Sequence, residues 1–227
     1  MPALRRRRPE PTGRPRREYL FVVAYARSGS TLLQGVLNSI PGYLIRGEND
    51  QALHRLFVMH RALARAKRRN LRRGRQTESG WYGITGYPTK RAPHEIRRLV
   101  MRTLIRPKPQ HRVVGFKEIR WGQPDIDDYV RFVCQVFPGA RFVFNVRDHA
   151  AASRSKIWAD KPDAVQRMQE IEAAWEPVRK RLGKKAFLVC YDDYAHDVDG
   201  LRPLFDWLGE PFDAERLRKV LGRRHSY

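Results

Sequence analysis

Residues 19–39, YLFVVAYARSGSTLLQGVLNS, decide the fold. The stretch opens as an apolar run, Tyr19 to Ala26, that reads as a buried strand. It then turns sharply through Arg27-Ser28-Gly29-Ser30-Thr31 and continues as an amphipathic helix from about Ser30 to Ser39, stopped by Pro41-Gly42. Helix N-termini leave backbone N–H groups unpaired and carry a partial positive charge. A turn of small hydroxyl residues aimed along them is therefore a cradle for phosphate or sulfate oxygens.

Strand, cradle and helix also make up the Walker loop, G-x-x-x-x-G-K-[ST]. Laid over this chain, it puts Ala24 at the first Gly, Gly29 at the second, Ser30 at the Lys and Thr31 at the hydroxyl. The Lys is missing, and in nucleoside triphosphatases that ammonium reaches the β- and γ-phosphates. A cradle without it suits a nucleotide with no phosphate chain to activate, such as a 5′-phosphosulfate.

Downstream, Tyr43 to Arg46 is a short extended piece, and Asn49 or Asp50 is placed to cap a helix carrying Leu53, Leu56, Phe57, His60 and Leu63. Residues 74–92 show no periodicity and read as a loop of lid-like length. Pro93 opens a helix with Ile96, Leu99, Val100 and Leu104 that breaks at Pro107. Val113 to Phe116 form a strand ending at Lys117-Glu118, and Pro124 starts a helix that closes at Pro138-Gly139. Phe142 to Val146 form the next strand, followed by Arg147-Asp148 and one helix through Trp158. A long helix with Val165, Met168, Ile171, Trp175, Val178 and Leu182 on its apolar face precedes the strand Ala186 to Tyr191. Two short helices near Leu201–Leu208 and Ala214–Leu221 follow. Continuous apolar strands separated by helices predict an α/β, three-layer, P-loop-like fold with a central, mainly parallel sheet flanked by helices. Ligands bind such sheets beyond the carboxyl ends of the strands.

Length and composition bound the rest. The 227 residues suit one α/β domain, expected over 19–227, behind a disordered Arg-rich tail over 1–18 that holds Arg5 to Arg8, Arg14, Arg16 and Arg17. The formal charge is +22, and a second basic run, Arg61 to Arg75, contains no acid and reads as a solvated helix end and loop rather than a dedicated recognition surface. Both runs attract polyanions, yet the chain has no zinc pattern, no basic region with heptads and no aromatic RNA-binding signature, so no specific nucleic acid is expected. No apolar stretch approaches the ~18 residues of a membrane span, and no signal core precedes the first strand. Cys134 and Cys190 sit among apolar neighbours as free thiols, which fits a reducing, cytoplasmic setting. The seven histidines form no ligand spacing, so no metal is expected, and no Ser-His-acid pattern offers a serine nucleophile.

Several separated motifs together resemble sulfotransferases that use 3′-phosphoadenosine 5′-phosphosulfate, of the bacterial type similar to carbohydrate and tyrosylprotein sulfotransferases. The turn Arg27-Ser28-Gly29-Ser30-Thr31-Leu32-Leu33 resembles the family's 5′-phosphosulfate loop, R-S-G-[ST]-T-L. After a later strand the family carries an Arg and, eight residues on, a Ser that together hold the 3′-phosphate; Arg147 and Ser155 stand at that spacing. Asp148 matches as well, while His149 replaces the usual Pro. Tyr191-Asp192-Asp193 resembles the Y-E-D segment whose Tyr lies beside the nucleotide. The late segment that helps hold the 3′-phosphate in relatives has no matching motif at Arg223, Arg224 or Ser226.

The resemblance implies three catalytic roles. Glu48, in IRGEND, is similar to the catalytic Glu after R-C-G-E in tyrosylprotein sulfotransferases, at a spacing one residue longer. Lys117 resembles the strand-end Lys of cytosolic sulfotransferases that stabilises the bridging oxygen, and Arg27 takes the place of the loop's leading cation. Cytosolic relatives place a His two residues beyond that Lys, where this chain has Ile119, so their base is absent. Glu118 is the reserve candidate for base, with Arg120 as its expected structural partner. The acceptor is expected to be a small-molecule or carbohydrate-like hydroxyl, and the sequence does not fix the oligomeric state. Taken singly, these residues also admit plainer roles: Arg147 paired with Asp148 or a neighbouring acid, Ser155 facing solvent, Glu48 as a first-turn acid of the next helix. An atypical P-loop phosphotransferase and a basic nucleic-acid-binding protein stand as alternatives.

Overall fold

In the computed structural model, which describes residues 17–223 apart from the side chain of Lys156, five parallel strands form one sheet in the order β2-β3-β1-β4-β5. The strands are β1 (Glu18–Val23), β2 (Tyr43–Arg46), β3 (Val113–Glu118), β4 (Arg141–Val146) and β5 (Ala186–Cys190). Between them lie α1 (Ser30–Asn38), α2 (Ala52–Arg69), α3 (Ala92–Val100), α4 (Ile126–Val136), α5 (His149–Ser153), α6 (Lys156–Ala159) and α7 (Ala164–Leu182). After β5 come α8 (Tyr191–Tyr194), α9 (Arg202–Leu208) and α10 (Ala214–Leu221).

Side-chain alternation along a strand sends neighbours to opposite faces, and β1 is buried on both. Phe21 and Val23 join Phe116, Phe142 and Phe144 in a core covered by α2, α3, α4 and α7. Leu20 and Val22 join Val143 in a second core, under α1, α9 and α10. This is the three-layer arrangement that the apolar strands predict, with every strand pair parallel.

The strand order locates the site. The chain leaves β1 toward β2 on one side, whereas it leaves β4 toward β5 on the other. A crevice opens between the carboxyl ends of β1 and β4, where the two connections part. The loop Tyr25–Gly29 follows β1 and Arg147 follows β4, so both border it.

Several expectations need correction. Arg17 and Glu18 belong to the folded part rather than the tail. Arg17 donates to the His111 and Lys108 carbonyls at 3.1 and 3.3 Å, and Glu18 opens β1. Residues 1–16, Arg224 and Ser226 lie outside the described residues. The short extended piece Tyr43 to Arg46 has the expected bounds and pairs with β3 as the sheet's edge strand. The helix expected through Trp158 is two, because Ser155 is extended (φ −81°, ψ 150°) and splits α5 from α6. Helix α3 widens into a π-turn over Met101–Ile105 and stops at Arg106, which is left-handed (φ 51°) before Pro107. Val165 and Leu99, placed on buried faces by periodicity, are exposed. Among the described residues, no helix is long and apolar enough to cross a membrane.

Candidate functional site

The loop after β1 is shaped by two left-handed residues, Arg27 (φ 68°) and Gly29 (φ 80°), on either side of Ser28. Alternating hands curl successive backbone N–H groups into a concavity that suits an anion. Gly29 is required twice over: its φ is costly for any side chain, and a Cβ there would run into the ring of Tyr191. Gly29 caps α1 without a side-chain bond, and Ser30 and Thr31 follow as its first two residues, where helix geometry provides no acceptor for their N–H groups. Ser28 and Ser30 are buried, Leu32 is packed into the second core, and Arg27 and Thr31 face outward.

The carbonyls of this loop are bound from behind. Trp158 Nε1 donates to the Ala26 carbonyl at 2.8 Å, Arg147 Nη1 to that of Arg27 at 3.2 Å, and Asn145 Nδ2 to that of Ser28 at 2.5 Å. Asn145 is wholly buried, and Tyr194 fixes its amide by donating to Oδ1 at 3.0 Å. The Tyr25 hydroxyl accepts from the Arg147 N–H and donates to its carbonyl, both at 3.0 Å. Burial, with the charge of Glu172 behind it, pushes that phenol well above its ordinary pKa, so the donor proton stays on. Sequence reasoning gave none of Tyr25, Asn145, Trp158 or Tyr194 a role. Asn145 was detectable as the one polar residue inside the run FVFNV.

Arg147 leaves the end of β4 with its guanidinium 4.5 Å from the centre of the Tyr191 ring. Asp148 is occupied elsewhere: its carboxylate caps α5 through the Ala151 N–H at 2.7 Å, and its own N–H donates to Asp192 at 2.6 Å. Arg147 Nε forms an ion pair with Asp192 Oδ1 at 4.0 Å, a separation beyond hydrogen-bond range. Ser155 sits at the break between α5 and α6, and Trp158, three residues on, ties α6 to the loop. Ser28 Oγ, Arg147 Nε and Ser155 Oγ are all buried without a hydrogen-bond partner. An unmet buried polar group costs about 1–3 kcal/mol, and these three lie on the segments that follow the adjacent strands β1 and β4.

The third part of the site lies at the ends of β2 and β3. Pairing of Arg46 with Phe116 brings the following turn over Lys117, whose Nζ contacts Glu48 Oε1 at 2.6 Å. The Lys117 side chain is 4% exposed and that of Glu48 is 44% exposed, so the carboxylate is held from inside and open to solvent. Glu118, one residue on and pointing the other way, is engaged in structure. It is buried and accepts the N–H groups of Asn49 and Gln51 at 3.2 Å each and of Ile119 at 2.9 Å. Arg120 pairs with Asp50, not with Glu118 as the sequence reading had it. Asn49 caps α2 by accepting from Ala52 at 2.9 Å. Just beyond, Asp125 binds His54 at 3.1 Å and Arg61 at 2.8 Å. Burial raises the Asp125 pKa, but these two partners outweigh it and hold the carboxyl below its ordinary range.

Known proteins add an independent comparison. A model of the sulfotransferase family matches residues 20–214 of the chain. No curated protein sequence matches it. Among solved structures, it is similar to the sulfotransferase domain from the Synechococcus PCC 7002 olefin synthase, with 18% identity, TM-score 0.53, and 97% of this chain and 82% of that one covered. Sulfotransferase STF9 from Mycobacterium avium aligns at 16% identity and TM-score 0.52, over 91% of this chain and 68% of that one. A sulfotransferase from Alicyclobacillus acidocaldarius aligns at 13% identity and TM-score 0.51, over 92% and 97%. At these identities the structural likenesses speak to the fold.

Proposed function

We propose that this chain, which belongs to the sulfotransferase family, moves a sulfuryl group from 3′-phosphoadenosine 5′-phosphosulfate to an acceptor hydroxyl, with Glu48 as the base. The donor supplies an activated sulfur joined to a 5′-phosphate leaving group. Gly29, Ser30 and Thr31 hold the phosphosulfate end through their backbone N–H groups, Ser28 and Ser30 add hydroxyls, and Leu32, whose N–H is bound to the Gly29 carbonyl at 3.0 Å, anchors the turn in the second core. Arg147 and Ser155 hold the 3′-phosphate, Arg with a planar double donor and Ser with a hydroxyl. Tyr191, lying between Gly29 and the Arg147 guanidinium, spaces the two anion sites and lines the nucleotide's path.

Glu48 takes the acceptor's proton as the acceptor oxygen bonds to sulfur, and the bond from sulfur to the 5′-phosphate oxygen breaks. Lys117 and Arg27 meet the charge on the sulfuryl oxygens and on the departing phosphate. In the structure Lys117 is paired with Glu48 at 2.6 Å. Turning Lys117 toward the donor would release the carboxylate for the acceptor, so donor binding and base availability are linked through one ammonium. No step in this scheme calls on a metal.

The observation that carries the reading is the trio of buried, unmet donors, Ser28 Oγ, Arg147 Nε and Ser155 Oγ, drawn from the segments that follow β1 and β4. Calorimetry of the full chain tests it: adenosine 3′,5′-bisphosphate should bind at least tenfold more tightly than ATP with magnesium. Tighter binding of ATP would favour a phosphotransferase and overturn the reading.

A further inference from the structure

Helix α2 runs 18 residues away from the Glu48 turn, and from Arg61 onward it carries five cations and no acid. With the 71–89 segment and α4 it walls an open cavity of about 1420 Å³. Some of the cations there have work to do. Arg61 is bound to Asp125 at 2.8 Å, Lys67 donates to the Tyr87 carbonyl at 2.8 Å, and Arg131 of α4 is bound to Asp127 at 2.8 Å. Arg65, Arg68 and Arg69 line the same cavity, are exposed, and make no ion pair among the described residues. The helix dipole favours cations in the last turn, which accounts for Arg68 and Arg69 but not for Arg65 a turn earlier. Beside them Trp81 is 42% exposed and Leu71 51%, large apolar surfaces left in water.

We propose that this cavity binds the remote part of an acidic glycan acceptor, a polyhydroxylated chain bearing carboxylate or sulfate groups. The proposal rests on the reading of Glu48 as the acceptor end of the site. At 1.5 Å per residue, Arg65 stands about 20 Å along α2 from Ala52, so one ligand meeting both Glu48 and Arg65 must be a chain. Guanidinium groups recognise carboxylate and sulfate through paired donors, while Trp81 and Leu71 offer flat apolar faces to sugar rings. The cavity wall has a single exposed aromatic ring, Trp81, where binders of single-stranded nucleic acid stack successive bases. An acidic peptide offers a hydroxyl only at scattered residues, whereas a glycan offers one on nearly every ring. Each transfer also adds an anion to the acceptor, so cations set well back from the chemistry grip a chain more firmly as it is modified.

The test is equilibrium binding, which needs no turnover. The full chain, saturated with adenosine 3′,5′-bisphosphate, is titrated against a fluorescent unsulfated hexasaccharide of alternating uronic acid and N-acetylhexosamine, read by anisotropy at low salt. The triple variant R65E/R68E/R69E should weaken the hexasaccharide at least tenfold and leave bisphosphate affinity within twofold. Trp81→Ala should weaken it severalfold at low and at high salt, since stacking is not screened. If the triple variant loses its helical signal, R65Q/R68Q serves in its place and should show the same direction. The proposal is overturned if the wild type binds the hexasaccharide no better than neutral chitin hexasaccharide. It is equally overturned if the charge variants bind as the wild type does, or if a thymidine oligonucleotide or polyglutamate of equal charge binds more tightly. Loss of bisphosphate binding in the wild type would instead sink the donor reading and leave the hexasaccharide result interpretable by itself.

Discussion

Between Ala26 and Ser28 every backbone carbonyl is bound by a side chain from β4, from Arg147 just after it, or from α6, whereas from Arg65 to Arg75 the chain leaves arginine after arginine without an ion pair among the described residues. One region is fixed before any ligand arrives. The other presents charge on exposed side chains. The difference follows from what each is proposed to meet. A donor of constant shape rewards donors locked in place, because no reorganisation is then spent when charge develops. An acceptor chain that varies in length and charge is better met by long, exposed cations that adapt. The locking also uses the proposed clamp: Arg147 binds the Arg27 carbonyl while its Nε has no hydrogen-bond partner, so the residue proposed to meet the 3′-phosphate also braces the loop proposed to meet the phosphosulfate.

If the two regions differ in this way, substitutions in the locked one should change donor affinity and those around Glu48 should change turnover. The largest effect is expected at Glu48. Glu48→Gln removes a proton acceptor and keeps the shape, so kcat should fall about 10²–10⁴-fold with bisphosphate affinity within twofold by calorimetry. Equal losses in both quantities would erase the distinction. Next comes Arg147→Ala, which should weaken bisphosphate binding about 10–100-fold, the range of a charge-assisted bond worth roughly 1.5–3 kcal/mol. A fall in kcat at saturating donor, with affinity intact, would place Arg147 on the wrong side of the comparison.

Asn145→Leu probes the locking itself. It strips the Ser28 carbonyl and the Tyr194 hydroxyl of their partner in a fully buried setting, at about 1–3 kcal/mol of stability. Chemical denaturation should register that loss, and bisphosphate affinity should drop with it although Asn145 touches no ligand. Trp158→Phe keeps a ring and removes only the donor to the Ala26 carbonyl. About 1 kcal/mol and a severalfold weaker bisphosphate are expected; unchanged affinity would mean that the loop holds its shape unaided.

The smallest effect concerns pH and the α2 side. Asp125 has a folded pKa below its unfolded value, set by His54 and Arg61 against the opposing effect of burial. Its contribution is therefore present above the unfolded value, near about 3.9, and is lost as pH falls through the folded one. Asp125→Asn should flatten the acid limb of the stability curve and leave it unchanged at neutral pH apart from a constant offset.

What was legible in the sequence follows the same division. The cradle and the Arg147 to Ser155 spacing are local patterns, each within one loop or one strand-to-helix passage, and they follow two strands that lie side by side, β1 and β4. The Glu48 and Lys117 pairing joins residues 69 positions apart, and it is visible only once β2 is known to lie beside β3. Periodicity failed where a residue could face either way: Val165 and Leu99 sit at the rims of apolar stripes and turned out exposed. Asn145 escaped notice because it lies in FVFNV, a run read as core, and Trp158 because the polar stretch SRSKIWAD around it gives no sign of what its indole binds. Ser155 breaks a helix that composition alone would continue, and its extended backbone leaves the hydroxyl buried and unmet.

The claim on which all this turns is that one ligand spans two anion sites held by the ends of β1 and β4. A thermodynamic cycle measures it directly, titrating wild type and Arg147→Ala each with adenosine 3′,5′-bisphosphate and with adenosine 5′-phosphate. Removing the 3′-phosphate from the ligand should weaken the wild type at least as much as Arg147→Ala does, since Ser155 is proposed to hold it too, and Arg147→Ala should cost several times less with the 5′-phosphate than with the bisphosphate. Losses that simply multiply would contradict the account, because Arg147 would then not be what the 3′-phosphate meets.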